Sequence, residues 1–133
     1  MTIELKALGK TTEYPMEYDP TVLETFQNPQ MDVAYEISID IPEFTCLCPK
    51  TGQPDFAKIV INYSPDQLCV ESKSLKLYMF SFRQSGAFHE DVTNRIARDL
   101  FNLMKPHWIE VEGQFFPRGG ISFWPKVRLE KES

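Results

Sequence analysis

Four stretches of the chain alternate between hydrophobic and polar residues with strand period, and two repeat with helix period. From Tyr35 to Ile41, the side chains of Ile37, Ile39 and Ile41 alternate with Ser38 and Asp40, as in a half-buried strand. Phe56 to Tyr63 alternates again, with Ala57, Ile59, Ile61 and Tyr63 on one face, and a short strand is expected to continue through Leu68 and Val70. The period then changes. Leu75, Tyr78, Met79 and Phe82 fall at i, i+3, i+4 and i+7, one face of a helix, which Gly86 interrupts. Val92, Ile96, Leu100, Leu103 and Met104 form the apolar stripe of a second helix from about His89 to Lys105, ended by Pro106. Residues 108–115 and 121–129 are two further alternating segments, joined by a hairpin-like connection around Pro117-Arg118-Gly119-Gly120. Residues 42–55, punctuated by Pro42, Pro49, Gly52 and Pro54, read as loop. The element order β-β-α-α-β-β predicts an α+β fold, an antiparallel sheet with two helices on one face, over a single domain 35–133. Residues 1–34 are polar and turn-rich, with Pro15, Pro20 and Pro29, and read as an N-terminal arm lying on the surface or on a neighbour.

Such a sheet leaves open edges and an uncovered face, a liability in a monomer. An aromatic content of 13% fits a protein that completes its burial against other copies of itself, although a monomeric α+β sandwich stays open on these grounds. The 133 residues amount to one domain. A net charge of −5 argues against a general nucleic-acid coat, which would be strongly basic. No apolar run approaches the roughly 20 residues of a membrane helix, and the N-terminal stretch lacks the apolar region of an export signal. The three cysteines are therefore expected to be reduced thiols in the cytoplasm.

The candidate chemistry lies in three places. Cys48 begins Cys48-Pro49-Lys50-Thr51-Gly52-Gln53-Pro54-Asp55, a loop stiffened by two prolines that can hold a nucleophilic thiol near a carboxylate able to move protons. Cys46 reads as a core thiol. A zinc site from Cys46, Cys48, Cys69, His89 and His107 is disfavoured, because structural sites normally use two close pairs and only one exists here. Lys73, Lys76, Phe80 and Arg83 form a basic face opposite the first helix's apolar stripe, with Ser72 as the expected N-cap. Solvated charge is the plain reading of that face. The functional reading is an anion site, in which two lysines and the helix N-terminus face a phosphate, with Arg118 adding a fork of donors. Phe88-His89-Glu90 opens the second helix and offers a stacking ring, a proton-transfer group and an acceptor for a heterocycle's N–H groups. Ordinary helix-start polarity is the alternative.

Taken together, Cys48 to Phe56, Glu71-Ser72-Lys73-Ser74-Leu75-Lys76-Leu77-Tyr78 and Phe88-His89-Glu90 resemble the nitrile reductases of queuosine biosynthesis, the NADPH-dependent 7-cyano-7-deazaguanine reductases, in their short single-module branch. The resemblance implies the tunnelling fold and a ring-like homo-oligomer with active sites between subunits. It implies a small purine-like substrate, NADPH as cofactor, no catalytic metal, no direct nucleic-acid contact and no membrane. By the same resemblance, Cys48 attacks the nitrile carbon to give a covalent thioimide, Asp55 protonates the nitrogen, and His89 assists. Glu90, Phe88, Ser72 and Glu71 hold the substrate, while Lys73, Lys76 and Arg118 bind the cofactor's phosphates. Three other readings remain: a zinc cyclohydrolase acting on a pterin or purine, a non-catalytic purine- or RNA-binding module, and a thiol redox sensor using Cys46 and Cys48.

Overall fold

The computed structural model describes residues 17–132 in full and, for the backbone alone, the paired strands β1 (Ile3–Ala7) and β2 (Lys10–Tyr14). The first half of the expected arm therefore lies outside the residues whose side chains are described. The rest of it is integrated into the fold. A 3-10 turn over Pro20–Val22, capped by the Asp19 carboxylate, leads into β3 (Thr25–Gln27). β3 pairs antiparallel with β6 (Leu68–Val70), so β6 is not a continuation of the preceding long strand. Leu23 is buried in the core.

The main sheet has the order β4-β5-β7-β8 and is antiparallel throughout. β4 is Ile37–Leu47, β5 Pro54–Ser64, β7 Trp108–Phe115 and β8 Lys126–Glu130. Alternation sends Ala57, Ile59, Ile61 and Tyr63 of β5, and Ile109, Val111 and Phe115 of β7, into the core. The opposite face is charged; on it Arg128 bridges Glu110 and Glu130 and stands over the Trp108 ring.

Two differences from the expected strands matter for the site. First, β4 and β5 run well into the stretch read as loop, which shrinks to a tight connection between Cys48 and Gln53. A bulge between Ile41 and Phe44 inserts one extra residue at Pro42-Glu43. Proline has no N–H to give a ladder, so it is accommodated at such a break. The bulge shifts the inward phase from Ile37, Ile39 and Ile41 to Phe44 and Cys46. Second, residues 121–125 are not part of a regular strand. Gly119 and Gly120, with φ of +59° and +79°, form a two-residue hairpin turn closed by reciprocal hydrogen bonds between Arg118 and Ile121. The chain then follows β7 irregularly until β8, because Pro125 cannot donate.

Helix α1 (Ser72–Phe80) lies beside β4, and α2 (His89–Met104) lies over β7 and β8. α2 buries Val92, Ile96, Leu100 and Met104, as its stripe predicts, and ends at Lys105 in the left-handed region, just before Pro106. Gly113 lets α2 sit close to β7: a Cβ there would fall 2.7 Å from Thr93 Oγ1 and from the Phe115 ring. Part of the aromatic excess is internal, since Phe82 packs among Tyr18, Phe44 and Tyr78. Asp99 of α2 accepts hydrogen bonds from Tyr18 (2.5 Å) and Tyr78 (2.6 Å), tying the N-terminal segment to both helices. Other aromatics, namely Phe26, Phe56, Phe88, Phe116, Phe123 and Trp124, are exposed.

Candidate active site

The Cys48 loop is closed by its own backbone. Cys48 N–H donates to Gln53 O (2.7 Å), and Gly52 N–H returns to Cys48 O (2.9 Å). Gly52 supplies the φ of +72° that this turn needs. The loop's outlet, β5, begins with Pro54 and Asp55. A second contact brings α2 to the same place: Leu47 N–H donates to Ser85 O, and Ala87 N–H donates to Leu47 O. This short parallel pairing beside Gly86 sets Phe88, His89 and Glu90 next to Cys48. Together they enclose a cavity of about 300 Å³ lined by Cys48, Asp55, Phe88, His89, Glu90 and Arg118, with Phe116, Ile121 and Phe123 as an apolar wall.

Asp55 is the polar centre of this cavity and is only 6% exposed. His89 Nε2 lies 3.2 Å from Asp55 Oδ2, and the imidazole stacks on Phe115 with ring centroids 3.8 Å apart. Arg118 Nε is 2.8 Å from Asp55 Oδ1. Both carboxylate oxygens are thereby fixed, one by an imidazole and one by a guanidinium.

The two nearby cysteines are electrostatically opposite. Burial, and then the negative charge of Asp55, pushes the Cys46 thiol up to about 12. The Cys48 thiol is pulled below its ordinary value, chiefly by the Thr51 hydroxyl and then by the backbone N–H groups of Thr51 and Lys50; burial and Asp55 act against the shift. A thiolate is the nucleophilic form, and of the two thiols Cys48 is the one held closer to it. Cys46, fully buried within β4, is no partner for it in a surface redox couple. Among the described residues, no three His, Cys, Asp or Glu side chains are grouped to hold a metal ion, and no helix is long and apolar enough to cross a membrane.

The remaining sequence-derived candidates are elsewhere in the chain. Ser72 and Lys76, joined by Arg83 and Phe80, line a separate groove of about 480 Å³ between α1 and β4, floored by Ile39, Leu75 and Met79. Lys73 is exposed at the start of the same helix. The N-cap is Glu71, not Ser72: its carboxylate accepts from the N–H groups of Lys73 (2.8 Å) and Ser74 (2.7 Å). The longer glutamate side chain reaches back over the first turn, and these bonds hold its carboxyl below the usual range. The N-terminus of α1 is thus already occupied by the chain's own anion, which removes it from the expected phosphate site. Arg118, also expected at a phosphate, turns inward onto Asp55. The sequence reading missed the contributions of Thr51, Phe115, Phe116, Ile121 and Phe123. The exposed apolar residues flanking Arg118 were the available signal for the last three.

A family model described as QueF-like protein matches residues 54–133. The chain belongs to the QueF-like family. A protein named NADPH-dependent 7-cyano-7-deazaguanine reductase from Porphyromonas gingivalis is 60% identical over 122 residues, covering 92% of this chain and 79% of that protein. QueF-like relatives of the same name from Bacteroides fragilis, at 58% identity with 92% and 81% covered, and Streptococcus thermophilus, at 60% with 91% and 75% covered, are comparably similar. The crystal structure of the archaeosine synthase QueF-Like in the apo form superposes with a TM-score of 0.62 at 14% identity, covering 71% of this chain and 91% of that one. That likeness is one of fold, and it supports the α+β arrangement of two helices with antiparallel sheets.

Proposed function

We propose that this chain is an oxidoreductase that reduces the nitrile of 7-cyano-7-deazaguanine to a primary amine with NADPH. The carrying observation is that Cys48, the thiol favoured as thiolate, shares one cavity with the Asp55–His89 pair. The Cys48 thiol passes its proton to the Asp55 carboxylate and attacks the nitrile carbon as thiolate, forming a C–S bond, while the nitrile nitrogen takes that proton from Asp55, giving a thioimide. Bound NADPH would supply the hydride equivalents, and Cys48 would be expelled between the two reductions to leave an imine. His89 restores the proton that Asp55 gives up at each stage. Splitting the reduction in this way replaces a poor hydride acceptor with a better one.

Glu90 accepts from the heterocycle's N–H groups, and Phe88 packs on its ring; Glu71 and Ser72 complete the substrate's surroundings. The groove between α1 and β4 suits a phosphorylated cofactor on its helix side, where Lys76 and Arg83 rim an apolar floor and Lys73 stands on the same helix as Lys76, while Asp40, paired with Lys58, and Glu43 lie on the β4 side. The groove and the Cys48 cavity have no lining residue in common. They complete one another across an interface between copies of the chain, in a ring-like homo-oligomer. The open edges β4 and β8 and the exposed aromatics beside the cavity support that assembly.

The test is intact-mass analysis of reduced protein with 7-cyano-7-deazaguanine and no NADPH. A substrate adduct is expected, and NADPH should then be consumed at two per substrate. Absence of both adduct and turnover overturns the reading.

A further inference from the structure

Arg118 is attached to the catalytic loop at three consecutive residues. Its Nη1 donates to Gln53 Oε1 (3.1 Å), its Nη2 to the Pro54 carbonyl (2.8 Å), and its Nε lies 2.8 Å from Asp55 Oδ1. The anchoring spans distant parts of the chain: the arginine stands in the Gly119–Gly120 hairpin, whereas its acceptors lead out of the Cys48 loop. The planar fork of guanidinium donors suits this arrangement, and a lysine ammonium, a single point charge, does not reproduce it. Asp55 is nearly buried, with its second oxygen on His89. Without Arg118, that carboxylate would lose one of its two partners among the described residues, and with it the guanidinium charge beside Oδ1.

We infer that Arg118 is a positioning residue for Asp55: it fixes the carboxylate's orientation and clamps the Gly119–Gly120 hairpin to the Cys48 loop, so that it acts in formation of the covalent adduct and not chiefly in holding cofactor phosphate. The inference rests on the reading of Cys48 as nucleophile and Asp55 as proton donor. The guanidinium also offsets the negative charge that Asp55 presents to Cys48. The titratable and charged groups facing Asp55 are then Arg118 from the hairpin, His89 from α2, Cys48 from the loop and Cys46 from β4. A role limited to phosphate binding would leave the cofactor-free step untouched, and this separates the two assignments.

The experiment measures adduct formation without NADPH in wild type, Arg118→Ala and Arg118→Lys, together with the KM for NADPH in steady state. Arg118→Ala should slow adduct formation by about tenfold or more, the loss of one charge-assisted contact, while the KM for NADPH changes much less. The pH at which its adduct rate is half-maximal should rise, because Asp55 is no longer balanced beside Cys48; a merely structural loss would scale the profile without moving it. Arg118→Lys, which keeps the positive charge beside Asp55 but not the planar fork of donors, should remain slow. Wild-type adduct rates in either variant, or a loss confined to the KM for NADPH, would overturn the inference. Failure of wild type itself to form an adduct would instead overturn the proposed function, and the inference with it.

Discussion

The Cys48 cavity and the groove between α1 and β4 are built on opposite plans. In the cavity, short side chains are held by specific partners: Asp55 by His89 and Arg118, His89 by the Phe115 ring, and Cys48 by the Thr51 turn. In the groove, Lys76 of α1 and Arg83 just beyond its end stand over an apolar floor, with Asp40 and Glu43 on the β4 side. The first plan suits bond making, where a displacement of about 1 Å is expensive. The second suits a large charged ligand, where summed attraction matters more than the placement of any one atom. The difference predicts that substitutions in the cavity act on chemical steps and substitutions in the groove act on cofactor affinity.

The sharpest way to break that division is the cysteine pair. Cys48→Ala should abolish the adduct and reduce turnover by at least about 10³-fold. Cys46→Ala, which empties a fully buried position, should cost about 1–2 kcal/mol of stability yet still form the adduct. Intact-mass analysis and thermal unfolding read the two effects separately. An adduct retained in Cys48→Ala and lost in Cys46→Ala would reverse the assignment.

Next in size is Asp55→Asn, which keeps the shape but removes the carboxylate that faces Arg118 and His89 and with it the group able to take up and deliver a proton. Turnover should fall roughly 10²- to 10⁴-fold, with little change in the KM for NADPH. If the KM rises and the maximal rate does not fall, the cavity is not where proton transfer occurs.

The groove gives the opposite signature. Lys73→Ala combined with Lys76→Ala should raise the KM for NADPH roughly 10- to 100-fold, at about 1.4 kcal/mol per tenfold, while adduct formation without NADPH stays near wild type. Slowed adduct formation in this variant would show that the two regions are not functionally separate.

How far these regions are legible in the sequence follows the same division. Helix α2 and strands β5 and β7 are readable because each is long enough for its buried face to repeat several times. The three-residue strands β3 and β6 offer too few positions for any period, so their pairing is visible only in the fold. Pro42 and Pro54 made the ends of β4 and β5 look like loop, although a bulge and a strand-initial position tolerate proline. In the site, the thiol, the carboxylate and the Phe88-His89-Glu90 segment are legible as chemistry. Their convergence is not, because it depends on the Leu47–Ser85 and Leu47–Ala87 hydrogen bonds. Nor is the direction in which Arg118 turns, since a basic residue beside two glycines looks equally suited to a phosphate. Glu71 shows a local version of the problem: propensity favoured the serine as cap, and side-chain reach favoured the residue before it.

The smallest expected effect tests the finest feature of the cavity, the source of the Cys48 thiolate. The Thr51 hydroxyl is the largest influence lowering that thiol's pKa. A lowered pKa leaves more thiolate at neutral pH, so the adduct rate in wild type should climb with pH and level off below the range of an ordinary thiol. Thr51→Val removes the hydroxyl but keeps a β-branched side chain of similar size, and the backbone N–H groups of Lys50 and Thr51 still face the sulfur. The profile should therefore move to higher pH without reverting fully to that of a free thiol. The rate at neutral pH should drop, and the two proteins should converge at alkaline pH, where both are thiolate. Stopped-time mass analysis across pH reads this directly. A uniform loss at every pH would mean that Thr51 shapes the loop and does not tune the charge. An unchanged profile would mean that the backbone alone holds the thiolate, leaving the cavity's most reactive atom controlled by the loop's turn and not by its side chains.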